Sequence, residues 1–250
     1  MSAAVKQVEI VRNEVDTAAP AVKAPSWRRK LWRAFLGLLA LVLVTAIVAH
    51  FAFKHSGNRQ WEFVTEDKGV KVYAMKVPGN SLKHFKAVFR VKSTLSRVTA
   101  FMQDNDSELD VDFYKAVELQ RHGPQMMITT WRSGFPAPFK DRDFVVRHTF
   151  TQNPVNKEVT YALQSLPDLI PPESCCVRVP RMDNAWQIIP LKNGEIEIHW
   201  LIDMDIGGFM PYFMINNVHP EIMTDFGSKL QGYFDRAIYA NVKYDWIVEP

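Results

Sequence analysis

One long helical stretch with a single apolar side, residues 220–240 (PEIMTDFGSKLQGYFDRAIYA), follows a region, residues 61–205, that reads almost entirely as strands and turns. Ile222, Phe226, Leu230, Tyr233, Phe234 and Ala237 recur three or four positions apart, which places them on one side of a helix. Glu221, Asp225, Lys229 and Asp235 fall mostly elsewhere. Pro220 suits a first helical position, where a missing N–H is no loss, and Glu221 adds a favourable charge beside it. A helix of this length spans roughly 30 Å and needs an apolar surface to lie on. A curved sheet supplies one, so the pattern predicts an α+β domain with a large antiparallel sheet against a long C-terminal helix. Gly227 and Gly232 weaken a helix and read as points of close packing.

The second strong signal lies near the N-terminus. Residues 34–49 (AFLGLLALVLVTAIVA) carry no charge, and the apolar stretch extends to about residues 31–53, interrupted by Arg33 and His50. That suits a membrane-spanning helix, which needs roughly 20 apolar residues. Trp27 and Trp32 fit an interfacial belt. Arg28, Arg29, Lys30 and Arg33 precede the run, against Lys54 and Arg59 after it. The heavier positive side predicts a cytoplasmic N-terminus and a C-terminal domain across the membrane, periplasmic in a bacterium. A cleaved leader is the alternative, with Val44-Thr45-Ala46 and Ile47-Val48-Ala49 as cleavage sequences. Residues 1–26 have no sustained period and read as a disordered cytoplasmic tail. Residues 54–60 read as a linker, and residues 61–245 as the folded domain.

Charge is uneven. Residues 1–55 hold eight basic and three acidic residues, a net of +5 against +3 for the whole chain, so the remainder carries −2. The folded part therefore has no basic case for nucleic-acid binding. Strands are predicted over residues 61–65, 70–77, 82–91, 113–120, 125–132, 142–150, 158–164, 175–181, 185–190 and 195–205. Ser93 or Thr94 can cap a short helix through Met102, and residues 211–218 read as another short helix before Pro220. The acidic residues 104–112 read as a loop, without the spacing or glycine of a calcium loop.

Motifs for catalysis or metal binding are missing from the sequence, and no cofactor is implied. His122, His148 and His199 are far apart and read as surface or core residues. Cys175 and Cys176 are adjacent, and neighbours rarely bridge each other. In a strand one would face the core and the other solvent. Asp203 and Asp205 share a strand face and read as rim residues. The charges of greater interest are Arg142 and Asp143, because each shares a strand face with apolar neighbours. A charge that faces an interior needs a partner. Alternatively, it supplies a polar point in an apolar cavity, the usual form of a small-molecule site.

Three stretches resemble the START family, the steroidogenic-acute-regulatory-protein-related lipid-transfer domains. They are Arg142-Asp143-Phe144-Val145 after residues 135–139, residues 175–180 (CCVRVP) followed by 186–190, and residues 197–226 (EIHWLIDMDIGGFMPYFMINNVHPEIMTDF). The resemblance covers about residues 61–245. It implies a helix-grip fold with a tunnel for one lipid, such as a sterol or phospholipid, bound and transferred without chemistry. Phe226, Leu230 and Phe234 would then line the tunnel. The loops 134–140 and 166–173 would flank its mouth, with Phe135, Pro136, Phe139, Leu169 and Ile170 covering the ligand or resting on a bilayer. Family members can place an ionic pair inside, for which Lys115 and Arg147 are the basic candidates and Glu118 the acid. His148 stands where the family often has arginine. A single anchor resembles bacterial envelope proteins, where an envelope protein partner would receive the cargo. Two other classes stay open. One is an enzyme of the related cyclase or hydroxylase-component type, with Glu118, Asp143, His148, His199 or Asp203 as acid or base. The other is a lipid-responsive sensor or assembly protein.

Overall fold

The computed structural model describes residues 26–105 and 113–250. All of the predicted tail but Ser26, which begins the first helix, and most of the acidic loop (residues 106–112) lie outside the described residues. The chain divides between His50 and Phe51 into two units, Met1–His50 and Phe51–Pro250. Helix α1 (Ser26–His55) supplies the described part of the first unit and ends inside the second.

The folded unit starts with β1 (Trp61–Asp67), β2 (Val70–Met75) and β3 (His84–Lys92), followed by α2 (Leu95–Gln103). Then come β4 (Phe113–Arg121), β5 (Met126–Ser133), β6 (Arg142–Gln152), β7 (Val159–Ser165), β8 (Val177–Arg178), β9 (Arg181–Pro190), β10 (Glu195–Ile202) and β11 (Met204–Asp205). A long helix, α3 (Tyr212–Phe234), and a 3-10 turn (Ala237–Tyr239) close the chain. The main sheet runs β1-β2-β3-β10-β9-β7-β6-β5-β4 with antiparallel neighbours. β8 pairs parallel to β6, and β11 pairs with β9.

Alternation decides which way each strand faces. On β3, Phe85, Ala87, Phe89 and Val91 are buried, while Arg90 and Lys92 are exposed. On β10, Ile196, Ile198 and Ile202 do the same. β6 departs from this: its first five residues are all buried, with β8 paired beside its start, Arg178 on Asp143, and the carbonyls of Ile206 and Gly207 on Arg142. The expected strand over residues 175–181 shrinks to Val177–Arg178, since Cys175 and Cys176 lie in a turn. α2 is capped by Thr94, whose hydroxyl accepts from Arg97 N at 3.2 Å. The Glu249 carboxylate adds a second cap, accepting from Leu95 N and Ser96 N at 2.9 and 2.8 Å.

α3 differs from its sequence reading in three ways. It is one helix from Tyr212, with Pro220 inside it rather than at its start. It stops at Phe234, leaving Ala237 in the 3-10 turn and exposed. Its buried stripe is Ile215, His219, Met223, Gly227, Leu230 and Phe234, so Ile222 is 49% exposed and Phe226 and Tyr233 are half-buried. The stripe is turned by about one position because its point of closest approach is a glycine, which carries no hydrophobic signal. A Cβ on Gly227 would lie 3.0 Å from Val70 Cγ2 and 3.5 Å from Phe89 Cδ1. Packing of the helix on β1, β2 and β3, with His219 stacked on Phe85 just before Pro220 and Gly227 against Val70 after it, carries it through Pro220 despite the lost backbone bond.

Two glycines on the same helix therefore predict opposite outcomes in chemical denaturation. A Cβ at Gly232 meets nothing within 4 Å, so Gly232→Ala is expected to stabilise the domain by about 0.5–1 kcal/mol. Gly227→Ala gains the same propensity but must push Val70, which is 1% exposed. It is expected to destabilise by about 1 kcal/mol or more.

Candidate ligand-binding site

α3 packs chiefly on β1–β3. The inner wall of the other half of the sheet is built by β4–β7. Here Phe113, Trp131, Phe144 and Val146 share an apolar cluster with Val179 and Met182. Trp131 stacks on Phe144 with centroids 5.1 Å apart and rings 10° from parallel.

A polar line crosses this wall from strand to strand. His148 on β6 is fully buried, with Nε2 2.7 Å from Thr129 Oγ1 on β5 and Nδ1 2.6 Å from Tyr161 Oη on β7. The parity of β6 places His148 on the same face as Phe144 and Val146. Burial, assisted by the nearby Arg121 charge, pushes the imidazole down to about 3. At neutral pH one ring nitrogen therefore donates and the other accepts. Beside it, with centroids 5.8 Å away, is Trp131, which is 3% exposed. Its indole Nε1 is buried with no hydrogen-bond partner among the described residues. A buried N–H without an acceptor is costly, so this donor suits an oxygen brought by a ligand.

The predicted ionic pair of Lys115 or Arg147 with Glu118 does not form. Lys115 is exposed at positive φ within a bulge of β4. Arg147 lies on the opposite face of β6 from His148 and donates to Gln164 across the strand pair. Glu118 instead binds Arg121, which donates through Nε at 3.0 Å and Nη2 at 2.5 Å. These bonds hold the Glu118 carboxyl below its ordinary range. Residues three apart on a strand normally face opposite ways. A register shift between Glu118 and Gln120 puts Glu118 opposite Thr129 and Arg121 opposite Met127. Strand parity read from sequence misses that pairing.

Arg142 and Asp143 hold loops. Arg142 is 1% exposed and donates to the carbonyls of Ile206 (2.9 Å), Gly207 (3.0 Å) and Lys140, with its guanidinium 4.8 Å from the Phe135 ring centroid. It therefore joins the loop at residues 134–140 to the connector entering α3. Asp143 accepts from Arg178 at 2.9 and 2.7 Å. Arg178 then donates to the carbonyls of Pro167, Ile170 and Pro171, gathering the loop at residues 166–173. Asp141, held by Tyr114, accepts from Phe135 N, and Glu173 pairs with Arg132. Of the loop residues, Phe135, Phe139 and Ile170 are half-buried and Leu169 is exposed. Cys175 and Cys176 do form a disulfide with each other, contrary to the sequence expectation. They sit in the turn that leads to Arg178, with Cys175 exposed and Cys176 buried.

Leu230 and Phe234 are fully enclosed in the main core, while Phe226 packs on Trp186 and Trp200. The other acid–base candidates lie apart. His199 pairs with Glu197 at 3.0 Å, and Asp203 with Arg181 at 2.7 Å and His84 at 3.3 Å. Sequence reasoning assigned no role to Thr129, Trp131, Tyr161 or Arg121. Only His148, as a departure from the family pattern, pointed to this place.

A family model described as START domain matches residues 52–233. The uncharacterized protein PA1579 of Pseudomonas aeruginosa is 25% identical over 185 residues, covering 72% of this chain and 89% of that protein. Among solved structures, the STAR-related lipid transfer protein from Xanthomonas axonopodis superposes with a TM-score of 0.63 at 22% identity, over 70% of this chain and 99% of that one. The human StarD13 lipid transfer and protein localization domain gives 0.62 at 20% identity, over 78% and 96%.

Two measurements test this geometry. Arg178→Ala strands a buried Asp143 and releases three loop carbonyls. It is expected to cost about 3 kcal/mol or more in urea unfolding and to open the loop at residues 166–173 to proteases. His148 stays neutral in the fold down to about pH 3, while the unfolded chain takes its proton near 6.5. Its contribution is thus present above pH 6.5 and is lost as the pH falls towards 3. His148→Gln does not titrate, so its stability should fall less steeply with pH over that window.

Proposed function

The chain belongs to the START domain family, and from that premise we propose that it binds a hydrophobic lipid between α3 and the curved sheet and passes it on without chemical change. The observation that carries this reading is the buried Trp131 indole N–H, unpartnered among the described residues, beside the neutral Thr129–His148–Tyr161 line on an apolar wall. Apolar walls with a few placed polar groups are the general form of a small-molecule site. The charged groups near this wall are already paired, Glu118 with Arg121 and Asp143 with Arg178. An uncharged polar end, a hydroxyl or a carbonyl, therefore suits the site better than an ionic headgroup. The non-catalytic part of the reading has its own support, since Glu118, Asp143, Asp203 and His199 are all engaged by partners and His148 is held neutral. The lipid-transfer names of the Xanthomonas axonopodis and human structures agree with this cargo class.

The proposal includes a membrane anchor. Trp27–His55 is long and apolar enough to cross a bilayer, with mean hydropathy 2.5 and none of that window buried. The basic cluster before it favours a cytoplasmic N-terminus and the lipid-binding domain on the far side. Envelope proteins remain the class of partner to which cargo would pass.

Native mass spectrometry with lipid extraction on residues 51–250 tests the reading. A lipid bound one to one is the expected result. Trp131→Phe keeps the ring but removes the N–H, and should weaken cargo binding about five- to tenfold, the equivalent of one hydrogen bond. A folded, empty protein that takes up no sterol, phospholipid or ceramide from vesicles would refute the proposal.

A further inference from the structure

The bridge between Cys175 and Cys176 has no part in the function proposed above. These are the only cysteines of the chain, and they pair with each other. A disulfide stabilises mainly by restricting the unfolded chain, and more so as the loop it closes lengthens. A bridge between neighbours closes almost no loop, so global stability is not what it supplies. It fixes the backbone of one turn, the turn that leads directly into β8.

Several segments meet just after that turn. Cys176 N donates to Glu173 O at 3.3 Å, and the Glu173 carboxylate pairs with Arg132. Val177 N donates to Asp141 O and Val179 N to Asp143 O, both at 2.9 Å, which seats β8 on the start of β6. Between them Arg178 reaches Asp143 and the carbonyls of Pro167, Ile170 and Pro171. The connector into α3 rests on the same place: a Cβ on Gly208 would lie 3.2 Å from both Val177 Cγ1 and Cγ2, and one on Gly207 3.2 Å from Arg178 O. The side chain that gathers the loop at residues 166–173 therefore follows closely on the bridge. β8 is 2 residues long, so it has little pairing of its own to hold Arg178 in place.

The two cysteines differ in access. Cys175 is exposed, whereas Cys176 is 9% exposed. Access helps to decide which sulfur is attacked, and exposed disulfides are the labile ones. We infer that Cys175–Cys176 is a thiol–disulfide exchange site whose reduction loosens the Arg178 latch and frees the loop at residues 166–173. The co-reactant is a dithiol. One of its thiolates attacks the Cys175 sulfur, the bond to Cys176 breaks, and Cys176 leaves as a thiolate that takes up a proton. The reductant's second thiolate then attacks the reductant sulfur of the mixed disulfide. Cys175 leaves as a thiolate and is protonated, and the reductant departs as a disulfide. Two electrons have passed from the dithiol to the cysteine pair. The turn regains the backbone freedom that the bridge withheld, and the position of Arg178 is no longer fixed from that side. Any effect on cargo rests on the lipid-binding reading above, whereas the exchange chemistry does not.

The test uses the full chain in detergent, never denatured, with dithiothreitol as the reductant and iodoacetamide as the trap. Cys175 should resist alkylation before reduction and accept it after brief treatment. The reporters of the loop are the Leu166 and Leu169 amides, which are bonded to Val145 O and Leu166 O. Their hydrogen exchange should quicken about fivefold or more on reduction, with β3 and β10 unchanged. Cys175→Ser/Cys176→Ser cannot bridge, so it should exchange fast from the start and not respond to dithiothreitol. Alkylation of Cys175 without reductant, or only after unfolding in urea, would overturn the exchange site. Trapping of Cys175 with the two amides unchanged, or quickened no more than β3 and β10, would overturn the link to the latch. These readouts need no bound lipid, so a failure of the cargo reading shows up separately.

Discussion

The close seating of α3 on β2 and β3 sets the rest of the molecule. Gly227 lets the helix approach until Val70 and Phe89 fill the space a side chain would take. That contact fixes the helix over one part of the sheet, and Leu230, Phe234 and Met223 complete the seam with no exposure. The β4–β7 half then has to present an inner wall of its own, and it does so with aromatic rings and one neutral polar line. With the helix over only part of the curved sheet, the core under α3 stays closed while the β4–β7 wall is covered by other parts of the chain, among them Val179 and Met182.

The loops around that interior are held mainly by arginine. Arg142 binds three carbonyls and an aromatic face, and Arg178 binds a carboxylate and three more carbonyls. Guanidinium groups suit this work because five fixed donors satisfy several acceptors at once. Buried ion pairs contribute little net stability compared with apolar packing, but breaking one is costly. The latches therefore specify where the loops lie more than they add to the stability of the core. Because Arg142 and Asp143 are neighbours on β6, one strand end positions the loop at residues 134–140, the loop at residues 166–173 and the connector into α3.

Much of this was legible in the chain itself. The period-two and period-3.6 patterns located most of the strands, the short helix with its Thr94 cap and the existence of a long closing helix. Hydrophobic periodicity reports burial, and burial is what those elements share. The apolar run at residues 31–53 stood out for the same reason. The pattern failed where burial is not the signal. The α3 stripe was displaced because Gly227 is silent, and α3 crossed Pro220 because tertiary packing outweighed a local break. Glu118 and Arg121 met through a bulge that parity cannot foresee.

The sequence by itself determined the class of fold, most of the strand faces and the apolar N-terminal helix, and it marked Arg142 and Asp143 as charges that need partners. Those follow from local composition and spacing, which act over a few residues. Only the tertiary structure decided the partners: Asp143 with Arg178, 35 residues away, His148 with Thr129 and Tyr161 on flanking strands, and Phe53 with Tyr212 across most of the domain. Such contacts depend on strand order, register and helix seating. These are global solutions to burying every apolar face at once, and no local pattern encodes them.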